Sequence, residues 1–417
     1  MQPNLNISNK VRGIAILTGV AVLGDAMLFV VLPIYWKEFG LSAVWQIGLL
    51  LSINRLIRLP VNPLVGLFYK HFQLRTGVLL ALGIAIVTTA SYGLLQEFWS
   101  LLIMRACWGV GWSLLRLGGF LSIVNITDDT NRGKYIGLYN GLWGLGSLAG
   151  MLSGGILVDQ TSVLFVTTLF SVIGLCFFPF IWLFIPQQDN HQEQANAHLT
   201  GTRIRSPYFV LVLITGGSVG LVIFGLFSST LSPLIGRIYA GDWSFLTLVI
   251  GAATLTGMIQ AIRWGWEPFV APFFGKKIDS SRSKHPLLLI PLFLAGCLFI
   301  VLGNLQSIGL LLMFLLIFQI SSTLLVTATD TFAANNAAAQ TDRVKAMTLY
   351  TIFVDVGAAL GPLLSYIIMS VYEVSIVYFI AGGLLLVISL VWLIFMRSNP
   401  FSHHSSAVST AYTAKKE

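Results

Sequence analysis

Long apolar stretches separated by short polar loops dominate the 417-residue chain. They lie near 11–36, 44–69, 76–95, 98–124, 135–158 and 162–185, then near 207–235, 243–274, 286–303, 308–334, 344–371 and 374–396. A helix of about 20 residues crosses about 30 Å of hydrocarbon, and these runs are of that order. The pattern predicts an all-α membrane protein with twelve transmembrane helices. The last six runs nearly copy the first six in length, which predicts two pseudo-symmetric six-helix bundles. Between them lies one extended polar connector. Residues 1–185 and 207–397 are therefore expected as the bundles and 186–206 as a cytoplasmic linker. The Ser-, His- and Ala-rich segment 398–417 is expected to be a disordered cytoplasmic tail.

Local motifs repeat in register with the halves. Pro63-Leu-Val-Gly66 falls where Pro272-Phe-Phe-Gly275 falls in the second half. Arg132-Gly-Lys134 precedes Gly146 and Gly150 at the same offset as Arg343-Val-Lys345 precedes Gly357 and Gly361. Duplicated six-helix units are an architecture that places substrate near the bilayer midplane, between the halves.

Composition and charge narrow the class. The chain is 56% apolar and 10% charged, whereas soluble domains carry about a quarter charged residues. Its net charge of +8 is distributed as a topology signal and not as a nucleic-acid patch. Lys10, Arg12, Lys70, Arg75, Arg132, Lys134, Arg203, Arg205, Lys276, Lys277, Arg343, Lys345 and Arg397 share one side if both termini are cytoplasmic, against Lys37 and Arg237 on the other. Positive charge favours the inside, so both termini are expected there. Trp36, Trp45, Trp99 and Trp243 then mark the outer interface.

The first run is too long for a signal-peptide core and carries Asp25. Cys107, Cys176 and Cys297 have no metal-site spacing. His71, His191, His198, His285, His403 and His404 fall in loops or ends, and neither a His-Glu-x-x-His helix nor a phosphate-binding loop occurs. These features argue against a membrane enzyme and against direct use of ATP.

Charges inside the runs carry the candidate chemistry. Asp25, Arg55, Arg58, Arg105 and Arg116 lie in the first half, and Arg263, Glu267, Asp330 and Asp355 in the second. Such a charge costs about 2.5–3.5 kcal/mol at a helix centre, so it must face water or a partner. Together they imply a polar cavity within the bundle, the outline of a transporter for a small molecule. Asn54 belongs with Arg55 and Arg58 as a cavity residue. Arg58 and Glu267 occupy equivalent repeat positions and are expected to face each other across the cavity. Arg263 and Glu267, four residues apart, can also pair along their own helix. Two readings remain open: ion pairs that hold the bundle, or sites for protons and substrate.

Several motifs resemble the major facilitator superfamily, and its twelve-helix drug:proton antiporter branch in particular. Arg105, Trp108, Gly109 and Gly111 resemble the fourth-helix pattern, with Trp108 where the family has Gln. Gly137, Gly146, Gly150 and Gly154-Gly155 follow the glycine spacing of the fifth-helix antiporter signature, with Met151 where that signature has Pro. Gly361-Pro362 supplies such a kink in the eleventh run. Asp25 and Pro33 are similar to the first-helix pattern of these exporters. The loop motif of Gly, three residues and Asp is kept by Gly275 and Asp279, whereas Lys70 takes the Asp position after Gly66.

The resemblance implies alternating access with proton-coupled efflux. It implies Asp25 as proton carrier with Arg105 as its partner, and Asn54, Arg55, Arg58, Arg116, Arg263, Glu267, Asp330 and Asp355 about a substrate cavity. Gly66, Gly275, Asp279, Gly146, Gly150, Gly154, Gly357, Gly361 and Pro362 would serve gating and helix packing. No cofactor is implied, the proton gradient being the energy source. The expected partners are a small-molecule substrate and the lipid bilayer, with no nucleic acid. The chain is expected to act as a monomer in a bacterial inner membrane. The excess of arginine suits an organic anion, the aromatic residues a lipophilic cation. Siderophore or organic-acid transport in either direction, and a transporter-fold sensor, remain alternatives.

Overall fold

A computed structural model describes residues 6–126, 132–185, 207–239, 243–245, 248–280, 285–338 and 343–398. The expected linker 186–206 and nearly all of the expected tail lie outside these residues. Within hydrocarbon the backbone must satisfy its own hydrogen bonds, so the apolar runs fold as helices. The first half contains α1 (Ile7–Tyr35), α2 (Val44–Leu56), α3 (Arg58–His71), α4 (Leu74–Leu94), α5 (Phe98–Ile126), α6 (Arg132–Gln160), α7 (Val163–Phe177) and α8 (Ile181–Phe184). The second contains α9 (Pro207–Val219), α10 (Ser228–Gly236), α11 (Ala252–Ser280), α12 (His285–Asn304), α13 (Ile308–Ala338), α14 (Arg343–Met369) and α15 (Val374–Ser398). Among the described residues, ten helical segments are long and apolar enough to cross a membrane.

Four runs depart from a single α-helix, those near 162–185 and 207–235 only by a short change of helical pitch. The run near 44–69 breaks at Ile57, between α2 and α3. Pro60 lacks an N–H and its ring crowds the carbonyl four residues back, which is that of Leu56, the last residue of α2. The run near 243–274 does not start as a helix. It opens with an antiparallel ribbon of β1 (Trp243–Phe245) and β2 (Leu248–Ile250), in which Trp243 pairs with Ile250 and Phe245 with Leu248. Hydropathy counts these residues as membrane helix, yet aromatic and β-branched residues favour extended backbone. Between α9 and α10 the chain also widens into a π-helical stretch, Gly220–Phe227.

Two apolar cores form, one from α1–α8 with Ala253 and Tyr366, the other from α9–α15. Inside each half a glycine seam brings two backbones together, as small residues permit between membrane helices. A methyl group on Gly146 of α6 would strike the backbone of Gly19 in α1, and one on Gly150 would lie 2.5 Å from the Leu23 carbonyl oxygen. In the second half, Gly357 and Gly361 of α14 abut Gly217, Leu221 and Gly225 in the same manner.

The halves meet through α2 against α14, α6 against α11, and α1 against α10. These contacts gather at the end bearing the 36–43 loop. A methyl on Gly48 would sit 2.7 Å from the Pro362 carbonyl oxygen, and one on Gly155 would sit 2.6 Å from that of Ala253. The Ser232 hydroxyl donates to the Val30 carbonyl at 2.9 Å. Towards the other end, α3 packs on α2, α4 and α5 of its own half. Among the described residues, nothing lies within 4 Å of a methyl added at Gly66 or Gly141 there.

Candidate functional site

Three helices of the first half, α1, α5 and α6, each turn one stripe towards a shared hollow. Val22, Asp25, Ala26 and Phe29 of α1 recur at helical spacing, as do Trp143, Ser147 and Met151 of α6. On α5 the stripe is Trp108, Trp112 and Arg116, with Arg105 one turn earlier on the same face. Asn54, Arg55 and Arg58 flank the break at Ile57. The second half contributes Asp355 on α14. This hollow measures about 160 Å³. A contiguous one of about 380 Å³ shares Arg58, Trp112, Arg116 and Asp355 and adds Asn62, Ser113, Phe120 and Thr351.

At the deep end Asp25 forms an ion pair with the Nη1 of Arg105. The Asn54 Nδ2 also donates to that carboxylate oxygen, at 3.2 Å. Arg105 is anchored from behind. Its Nε donates to the Leu50 carbonyl at 2.9 Å, and its guanidinium lies 5.8 Å from the Tyr92 ring centroid. A buried guanidinium needs this many partners, because an unpaired buried charge costs several kcal/mol, about 3–5 when one partner is removed.

The side walls are aromatic. Trp108 and Trp112 have ring centroids 6.1 Å apart, and Trp112 meets Trp143 edge-on at 5.2 Å. Trp108, Trp112 and Trp143 thus line the hollow and do not point to lipid. Nothing in a membrane-helix sequence tells an inward tryptophan from an outward one.

A second polar cluster lies beyond the deep end, where the halves meet near the 36–43 loop. Asp159, on the last turn of α6, accepts from the Tyr35 hydroxyl at 2.6 Å. Its other oxygen accepts from the Thr254 backbone N–H at 2.8 Å and the Thr254 hydroxyl at 2.6 Å. Thr254 is in the first turn of α11. The carboxylate of one half therefore caps a helix N-terminus of the other, where backbone N–H groups and the helix dipole favour negative charge. Sequence reasoning missed Asp159, which stands in no motif. Its position just past Gly154-Gly155 was the available signal.

The structure brings Asp25, Asn54, Arg55, Arg58, Arg116 and Asp355 together around the hollow, with Arg105 behind Asp25. Asp330 is not among the lining residues; it accepts from the Tyr350 hydroxyl at 2.6 Å. An acidic residue in a membrane helix can be satisfied by a neighbouring phenol as well as by a wet cavity. The side chains of Arg263, Glu267 and Asp279, and the surroundings of Gly275, lie outside the described part of the structure. Across from Arg58, the described acidic residue is Asp355. Gly146, Gly150 and Gly154 pack on α1 within their own half, and Gly357 and Gly361 on α9 and the π-helical stretch. Pro362 lies inside α14, where its carbonyl meets Gly48 of the other half.

The family model described as Major Facilitator Superfamily matches residues 14–267 and 268–415. Multidrug resistance protein MdtG of Salmonella typhimurium is 26% identical over 399 residues, covering 89% of this chain and 90% of that protein. MdtG of Salmonella typhi matches at the same identity and coverage. Among solved structures, a bacterial homolog of the human lysosomal transporter Spinster, in an inward-facing and unoccupied conformation, superposes with a TM-score of 0.73 at 14% identity. It covers 93% of this chain and 95% of that one. The nucleoside transporter NupG superposes with a TM-score of 0.71 at 13% identity, covering 94% and 99%. At such identities these two likenesses bear on the fold alone.

Proposed function

The chain belongs to the major facilitator superfamily and is a multi-pass membrane transporter, not an enzyme; on that basis we propose that it exports a drug-like or organic-anion solute in exchange for protons. The observation that carries this reading is the Asp25–Arg105 pair, set in the wall of a hollow that both halves line. A carboxylate there has two ways to be neutral, a proton or its guanidinium partner. When the hollow closes around an Asp25 separated from Arg105, the bare anion is disfavoured and a proton is taken up. When the two groups come together again, the anion is favoured and the proton leaves.

With both termini in the cytoplasm, as the Lys/Arg distribution favours, the sealed end around Asp159 is the outer one and the hollow opens inward. Export then begins in this conformation, with solute loading from the cytoplasm. Breaking the Asp159–Thr254 contacts would open the outer face, and protonation of Asp25 from that side would reset the cycle. The glycine spacing of α6 and the multidrug-resistance relatives support the outward direction and a bacterial inner membrane. A monomer suffices, because both halves of the hollow are present in one chain.

The test is a screen of reconstituted protein with an imposed pH gradient and a pH-sensitive dye inside the vesicles. Organic acids, siderophores and lipophilic cations are screened side by side. Solute movement accompanied by opposing proton movement supports the proposal. Movement of solute with no proton change overturns the coupling, and absence of any flux in active preparations overturns transport in favour of a sensor.

A further inference from the structure

The hollow carries a charge pattern that bears on what it holds. Arg58 and Arg116 both line its two parts, and Asp355 is the carboxylate that shares both parts with them. Among the described residues neither arginine closes an ion pair; Arg116 lies over the Phe120 ring at 5.9 Å, and Arg58 feels Asp355 only through the field. The negative charge of Asp25 is already met by Arg105. Among the described residues that line both parts, two guanidiniums thus share the space with one carboxylate, and their summed charge is positive.

A second observation is independent of the arginines. Ser113 is 5% exposed, lines the larger hollow, and its hydroxyl has no hydrogen-bond partner. A buried hydroxyl without a partner is costly, and such groups usually find one. All three donors line the larger hollow with the Trp112 ring, and Trp143 lines the smaller one that shares Arg58, Trp112 and Arg116 with it, so both parts offer an apolar face.

Resting on the transport reading above, we propose that this hollow binds an organic anion. Its carboxylate, phosphonate or similar oxyanion group is held by Arg58, Arg116 and the Ser113 hydroxyl. Its apolar or aromatic body lies on Trp112 and Trp143. Planar guanidinium forks match oxyanion geometry, and tryptophan supplies contact area at small entropic cost. Asp355 competes with the bound anion for the same arginines and so weakens its binding. A lipophilic cation would meet two positive charges at close range in a partly dehydrated site, where repulsion is poorly screened. Electrostatically such an anion favours a proton on Asp25, so exchange of one for the other rests on the change of conformation and not on the local field.

Three probes of one shape and different charge test this: 2-naphthoate, 2-naphthylmethylammonium and 2-naphthamide. Binding is measured by calorimetry to the full-length protein in nanodiscs, with protein-free nanodiscs as blank. The carboxylate is expected to bind at least tenfold more tightly than the other two. Arg58→Gln and Arg116→Gln are each expected to remove that preference. Asp355→Asn is expected to tighten carboxylate binding at least threefold, a gain that misfolding does not produce. The proposal is overturned if the ammonium binds as tightly as the carboxylate, if no carboxylate binding is measured at millimolar concentration, or if the preference survives both arginine variants. Export of the ammonium against a pH gradient would defeat the anion site and leave the transporter reading standing, whereas loss of all flux would strike that reading itself.

Discussion

Asp25 and Arg105 form an ion pair with one sealed and one accessible member: Arg105 is 1% exposed, while the Asp25 side chain is 17% exposed and lines the hollow. A proton arriving through the hollow meets the carboxylate first. The guanidinium is also held by the Leu50 carbonyl and the Tyr92 ring.

Removing Arg105 alone should harm the fold, because it strands a half-buried carboxylate. Arg105→Leu is expected to cost about 3 kcal/mol, as for other broken buried pairs. Thermal unfolding in detergent reads this as a lowered midpoint. Pairing it with Asp25→Asn should recover much of the stability while leaving proton coupling absent. An Arg105→Leu protein as stable as the parent would show that the pair contributes nothing to the bundle.

The Asp159 cap joins the halves at the sealed end, so Asp159→Ala should favour the opposite conformation. Hydrogen bonds to a charged group contribute about 1.5–3 kcal/mol each, and a net loss of about 2 kcal/mol shifts a two-state ratio about thirtyfold. Spin labels at Glu38→Cys and Glu373→Cys, with Cys107, Cys176 and Cys297 replaced by Ser, would report it. The distance distribution is expected to gain a longer component in Asp159→Ala. An unchanged distribution would remove Asp159 from the gate.

Two glycines of the family-like motifs should respond oppositely to a methyl group. Gly146→Ala forces α6 away from Gly19 and is expected to destabilise by about 1–3 kcal/mol, as overpacking does. Gly66→Ala meets nothing within 4 Å among the described residues and should leave the melting temperature unchanged or slightly raised. Equal melting temperatures for the two variants would contradict the packing described for α1 and α6. If Gly66 serves the gate, its variant should instead lower transport at unchanged stability.

Much of the architecture was legible because hydrocarbon imposes one rule on every run, and length with hydropathy records it. The Trp243–Ile250 ribbon escaped that reading, since apolarity alone does not separate extended from helical backbone. Asp25 and Arg105 could be singled out because a charge in a membrane helix demands a partner. Which partner was less legible: Asp330 meets the Tyr350 hydroxyl, and Asp355 is the described second-half carboxylate that lines the hollow with Arg58. Asp159 was invisible because a polar residue at a helix end looks like a boundary. Its role depends on Thr254, nearly a hundred residues away and in the other half.

The central claim is that Asp25 carries the exchanged proton. Its most direct measurement is proton movement into or out of proteoliposomes driven by a gradient of whichever solute the screen identifies, in the parent and in Asp25→Asn. The parent is expected to move protons against the solute, and Asp25→Asn to pass solute down its gradient with no proton signal. Undiminished solute-driven proton movement in Asp25→Asn would contradict the account.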